Sequence, residues 1–360
     1  PFELMNKVGL ENAHRMANQY AQLANGGWEV PENLSNQGNA DWHFKVVDTS
    51  IDNGVATITI NRPEAMNALN ETVMAQLGSA LDDVNSDSSV STIVLDGAGK
   101  AFVAGADVKF FVDKIRADSI SDIYDFTAFG HQVLDKLESS SKTTIALTTG
   151  LALGGGLELA LACDYRIGTR RTQFRFPETS IGIYPGLGGS QRPARICGIP
   201  IARWAVLAGN FMDAKTASDL GMITHLVDVA AVDDTVLQIS NQGKPANKYP
   251  GQAANLQSPV VQFANNFFAD ANMSDIMNGV CPQGFDVEDK LVARQMKSLK
   301  FTAPIALAKA SELIDATSST DLSAGLALEL AGLNDIFSTA DSLEGLSALI
   351  EGRRPTYSNQ

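Results

Sequence analysis

Two glutamates twenty residues apart, Glu158 and Glu178, carry the strongest chemical signal in this chain. Glu158 lies in LALGGGLELALACDY, directly after three glycines and inside an otherwise apolar run. Glu178 lies in FRFPETSIGIYPGLGGSQR, ahead of a second glycine-rich stretch. A carboxylate among apolar neighbours is costly to ionise unless it is paired or hydrogen-bonded. Two such groups beside glycine turns point to an acid/base pair next to a loop that stabilises negative charge. Each alone also fits a structural role: Glu158 as a carboxylate at a helix start, Glu178 as a cap after Pro177. Their joint occurrence with two glycine loops favours chemistry.

The first of those loops is AFVAGADVKFF, beginning at Ala101, where glycine and alanine let backbone N–H groups approach a ligand closely. The second is Gly154-Gly155-Gly156, ahead of a helix whose free N–H groups and dipole favour developing negative charge. Either loop by itself also reads as an ordinary tight turn. If both follow parallel strands, they converge on one carbonyl oxygen as an oxyanion hole.

The elements that must position these residues follow from periodicity. GVATITINRP alternates as a strand that stops at a proline, while STIVLDGAG and KTTIALTTG read as buried strands ending in glycine turns. Helical spacing occupies 71–85 and 121–138, and ELALACDYRIGT continues as a helix and then a strand. This alternation over 45–230 indicates an α/β domain. Residues 235–297 differ: SNQGKPANKYPGQAANLQSP reads as irregular loop, and FANNFFADANMSDIMNGVCPQGF as helical in part. Ala303 to Glu351 is strongly helical. Ahead of the domain, 11–24 reads as a helix and the polar stretch Pro31–Ala40 as a linker.

Composition narrows the class. The 360 residues include 44% hydrophobic and 19% charged side chains, a globular balance with ample core. A net charge of −14 without a dense basic cluster argues against nucleic acid or an anionic membrane as the main partner. The distant cysteines Cys163, Cys197 and Cys281 fit reduced thiols. With no signal peptide and no bilayer-length apolar run, a soluble cytoplasmic protein is expected. No G-x-x-x-x-G-K-[ST], G-x-G-x-x-G or G-x-S-x-G occurs, and His14, His43, His131 and His225 are scattered without metal-ligand spacing. Ser190 reads as an oriented turn serine rather than a nucleophile.

INRPEAMNALN, AFVAGADVKFF, GLALGGGLELALACDYRIG and FRFPETSIGIYPGLGGSQR occur in the order and spacing of the crotonase (enoyl-CoA hydratase/isomerase) superfamily. The resemblance is strong over 43–230 and resumes over 300–360, where SLEGLSALIEGRRPTY is similar to the family's helical end. It implies an α/β fold of ββα units coiled in a spiral, with a C-terminal helical trimerisation region. The implied divisions are a catalytic core at 42–234, an insertion at 235–297 and an oligomerisation region at 298–360. The resemblance gives Ala106 and Gly155 the N–H groups that hold a thioester oxygen. It lays Ala104 and the Ala106-Asp107-Val108-Lys109 turn along the CoA moiety, and sets Gly186 near the glutamates. Glu158 and Glu178 match the catalytic acids of true hydratases. Having both favours reversible hydration of a trans-2-enoyl-CoA over isomerisation, thioester hydrolysis or non-catalytic acyl-CoA binding. It implies a homotrimer or hexamer and no metal or cofactor. The opening PFELMNKVGLENAHRMANQY is similar to the C-terminal helical domain of 3-hydroxyacyl-CoA dehydrogenases. Residues 1–41 then read as the end of a fused or associated dehydrogenase, which would bring NAD only with its missing part.

Overall fold

The computed structural model describes Met5, residues 8–37 and residues 44–359, in two compact units divided after Lys45. In the first unit, the helix Leu10–Leu23 buries Leu10 and Ala13 with Leu34. Where the polar composition suggests a linker, a short helix, Glu32–Gln37, forms instead. Leu34 explains it: one apolar side chain among polar ones finds a buried partner face. The Pro-Phe start of the dehydrogenase-like pattern and the boundary at Trp42 lie outside the described residues.

The second unit is a two-sheet α/β body. Strands β1 (Val47–Asp52), β2 (Val55–Ile60), β3 (Thr92–Gly97), β5 (Thr143–Thr148), β7 (Tyr165–Gly168) and β10 (His225–Leu226) form one sheet in the order β1-β2-β3-β5-β7-β10. Strands β4 (Ala101–Ala104), β6 (Leu151–Leu153), β8 (Gln173–Arg175) and β9 (Met212–Asp213) form the other. Successive strand pairs β3/β4, β5/β6 and β7/β8 each place one strand in each sheet, so the chain advances as a spiral. Apart from β1–β2 and β8–β9, the pairings are parallel. The alternating burial of Ala56, Ile58 and Ile60 gives β2 one core face, whereas Thr92 to Leu95 are all buried in central β3.

Local sequence accounts for the framing helices. Glu71–Ser86 starts where the Asn70 side chain accepts the Val73 N–H, and buries Val73, Met74, Leu77, Leu81 and Val84 at helical spacing. Asn67, in the left-handed region at φ 60°, donates through Nδ2 to the carbonyls of Ala98, Ala101 and Phe102. It thereby ties the turn before that helix to the start of β4.

The 235–297 segment begins inside a helix, Val232–Gln242. An irregular stretch follows, then helices Pro259–Phe267, Met273–Met277 and Lys290–Leu299. Phe263, Phe267, Phe268 and Phe285 form an aromatic cluster within it. Buried Arg203, on the Ile199–Leu207 helix, pairs with Asp270 of this segment at 2.7 Å and with Asp315 at 2.6 Å. The C-terminal helices Pro304–Asp315, Leu322–Ala331, Leu333–Phe337 and Ala340–Glu351 pack back on the same chain's core. No helix among the described residues is long and apolar enough to cross a membrane.

Candidate active site

Glu158 projects from the short helix Gly155–Leu161, which follows β6 directly. It is 2% exposed, and its Oε1 accepts the N–H groups of Leu187 and Gly189, each at 2.7 Å. Burial raises its pKa to about 7 against those two hydrogen bonds, which favour the ionised form. Glu178 opens the 3₁₀ turn Glu178–Ile181 after β8 and is 7% exposed. Its Oε2 is buried with no hydrogen-bond partner. Burial first, and then the Glu158 charge, hold the Glu178 carboxyl well above the ordinary range.

Consecutive glycines bring the two carboxyls together. A Cβ on Gly154 would lie 2.4 Å from Glu178 Oε1, and one on Gly155 would lie 3.9 Å from Glu158 Oε2. Gly154 adopts φ 48°, which bends the chain from β6 into the helix. Gly156 has a different reason to lack a side chain, because a Cβ there would meet the Val103 carbonyl of β4 at 2.0 Å.

The two loops expected to hold a carbonyl oxygen lie side by side. Strands β4 and β6 pair in parallel, with Ala104 opposite Leu153, and Ala106 and Gly155 each follow two residues later. The flanking amides are engaged: Asp107 donates to Leu69 and Gly154 to Arg175. Among the described residues, the Ala106 and Gly155 amides have no acceptor. Asp107 caps the helix Val108–Arg116 positionally and pairs with Arg62 at 3.6 Å, while Lys109 is exposed beside Asp113. Gly186 accepts from His131 Nε2 at 2.7 Å and lies against Leu333 and Thr127, one residue before the loop that binds Glu158. Phe110, Phe111 and Phe126 gather with Phe337 of a C-terminal helix, Phe111 stacking on Phe337 at 5.3 Å.

The chain belongs to the enoyl-CoA hydratase/isomerase family. Residues 55–360 match that family's model. A Mycobacterium tuberculosis protein named probable enoyl-CoA hydratase is 30% identical over 317 residues, 88% of this chain and 99% of that protein. The short-chain-enoyl-CoA hydratase of Clostridium acetobutylicum is 28% identical, over 83% of this chain and 92% of that one. The crystal structure of an enoyl-CoA hydratase from Rhodobacter sphaeroides superposes with a TM-score of 0.74 at 25% identity, covering 87% of this chain and 92% of the other. Within this enoyl-CoA hydratase/isomerase fold, the C-terminal helices reach the Glu178 segment. Ala303 N–H donates to the Thr179 carbonyl at 2.9 Å, and Tyr357 Oη to the Ser180 carbonyl at 2.7 Å. The Ser358 and Asn359 amides bind the Asp341 carboxylate, and a Cβ on Gly182 would lie 2.3 Å from the Asp341 carbonyl.

The 240s loop also reaches the site from behind. Lys248 and Tyr249 engage Glu138, which pairs with Arg192 at 2.5 Å. Arg192 Nη1 in turn donates to the Leu187 carbonyl at 2.7 Å. Sequence reasoning missed Glu329, whose carboxylate accepts the Gly188 N–H at 2.7 Å, the Ser190 N–H at 3.0 Å and the Ser190 hydroxyl at 2.5 Å. A signal existed, since Glu329 is a lone carboxylate in the apolar run LALELAG. Ser190 is indeed an oriented turn serine.

Proposed function

We propose that this chain catalyses reversible syn addition of water to a trans-2-enoyl-CoA, giving a 3-hydroxyacyl-CoA. One observation carries the reading: a buried, unpartnered Glu178 oxygen lies beside a second buried carboxyl that two amides hold in its ionisable form. The family membership and the hydratases among its relatives supply the thioester. The Ala106 and Gly155 amides polarise the thioester carbonyl, making the β-carbon electrophilic and stabilising enolate charge. Glu158 takes a proton from the attacking water, a role that suits a carboxylate supported by two N–H donors. Glu178, whose carboxyl burial and the Glu158 charge hold toward the neutral form, delivers the α-proton. Ala104 and the turn through Asp107, Val108 and Lys109 lie along the CoA moiety, near the cationic Arg62. The acyl chain runs toward Phe110, Phe111, Phe126 and Phe337, with Gly186 bounding the reaction space.

The chemistry requires no metal or redox cofactor. The resemblance of residues 1–20 supports a dehydrogenase partner, fused or associated, because a hydratase product is a dehydrogenase substrate. The family's helical end supports assembly as a trimer or hexamer, with 298–360 as the assembly region. The test follows crotonyl-CoA by loss of the enoyl-thioester absorbance and by product analysis in ¹⁸O-labelled water. Label at C3 is expected. Double-bond migration or free CoA without label would overturn the assignment.

A further inference from the structure

Glu329 is a fully buried carboxylate that the reaction above does not use. It lies on the Leu322–Ala331 helix, more than a hundred residues from the segment it binds. Four consecutive amides of that segment divide between two carboxylates. Leu187 and Gly189 donate to Glu158, while Gly188 and Ser190 donate to Glu329. The turn that orients Glu158 is therefore held on its other side by Glu329.

We infer that Glu329 is the positioning residue for Glu158, acting through the Leu187–Ser190 turn. The assignment rests on the proposed hydratase role of Glu158. The geometry suits a carboxylate specifically, since three donors converge on two oxygens: Gly188 N–H on one, Ser190 N–H and hydroxyl on the other. Glutamine has one carbonyl oxygen, so Glu329→Gln leaves one of these donors facing an NH₂ group. Surrounding bonds fix the assembly. Tyr184 Oη donates to the Glu329 carbonyl at 2.6 Å, and Gln191 Nε2 donates to the Ser190 hydroxyl at 2.9 Å and to the Leu313 carbonyl at 2.7 Å. Arg192 fastens the Leu187 carbonyl. With its outer face bound this way, the turn presents the Leu187 and Gly189 amides to Glu158 without searching other geometries. Such preorganisation speeds reaction more than it strengthens binding.

The test pairs amide hydrogen exchange with kinetics on Glu329→Gln. Exchange at Leu187 and Gly189, which bond Glu158 and not Glu329, is expected to rise at least about tenfold while β3 and β5 amides stay protected. With crotonyl-CoA, kcat is expected to fall at least about tenfold and KM to change less than about threefold. Wild-type exchange at Leu187 and Gly189 in the folded variant would overturn the inference, as would an unchanged kcat. If Glu329→Gln does not fold, Ser190→Ala decides: faster Gly189 exchange supports the role, and wild-type exchange refutes it. Exchange is measured without substrate. A wild-type enzyme inactive on crotonyl-CoA would thus sink the hydratase reading, while the exchange data still decide whether Glu329 positions Glu158.

Discussion

Glu158 and Glu178 are buried to a similar degree on neighbouring turns, and burial raises both, yet their hydrogen-bond surroundings differ. Glu158 faces two backbone donors, and its pKa stops at about 7. Burial, and then the Glu158 charge, pushes the Glu178 carboxyl well above the usual range, and its Oε2 has no hydrogen-bond partner. Burial is common to both; the two backbone donors on Glu158 Oε1 and the unpartnered Oε2 of Glu178 are what distinguish them.

The harshest way to break the comparison is to remove either carboxylate. Glu158→Gln and Glu178→Gln are each expected to lower crotonyl-CoA turnover at least about a hundredfold, the scale of acid–base catalysis. Near wild-type turnover by either variant would remove that residue from the mechanism. A gentler change crowds each carboxyl in turn. Gly154→Ala combines a left-handed backbone with a Cβ 2.4 Å from Glu178 Oε1, and Gly189→Ala places a Cβ 2.6 Å from Pro185 and 2.8 Å from both Glu158 Oε1 and Phe176. Steady-state assays should show losses of about tenfold or more for each, with backbone strain of about 1–3 kcal/mol adding to the displacement in Gly154→Ala. Wild-type turnover by Gly154→Ala would mean that the Glu178 carboxyl is free to move aside.

Titration sharpens the contrast without touching turnover. A carboxyl whose folded pKa lies above its unfolded value near 4.5 stabilises the fold fully below that pH. That stability is lost as pH rises through the folded value, about 7 for Glu158 and likewise raised well above the ordinary value for Glu178. Each group contributes a slope of up to about 1.4 kcal/mol per pH unit inside its window. His131, lowered to about 4 by burial, acts with the opposite sign below its ordinary value of 6.5, so differences between variants are compared. Urea midpoints are expected to fall less steeply with pH in both Gln variants than in the wild type. A wild-type slope in either variant would remove that carboxyl from the pH dependence. The smallest effect expected is that of Tyr357→Phe, which removes one hydrogen bond to the Glu178 segment. It should cost about 1 kcal/mol in thermal or urea denaturation and leave the Glu158 side unaffected.

Much of this site was legible because its signals are local. The carboxylates beside glycine-rich stretches, the buried strands beside Asp96 and Thr148, and the helix at 71–86 all announce themselves within a dozen residues. Glu329 carries the same mark as Glu158, but its partners are amides at Gly188 and Ser190, brought to it only by tertiary packing. Leu34 made a helix where polar neighbours suggested a linker, because one buried contact outweighed local composition. The route from Lys248 through Glu138 and Arg192 to Leu187 had no signature in spacing.

The hold of the C-terminal residues on the Glu178 turn sets an order of events during synthesis. The ribosome delivers both glutamates long before Asp341, whose backbone packs against Gly182, and Tyr357, which bonds the Ser180 carbonyl. A nascent chain can collapse around its sheets while this turn still lacks its clamp. The Glu178 turn therefore takes its last contacts only when the final helix and the tail behind it have been made.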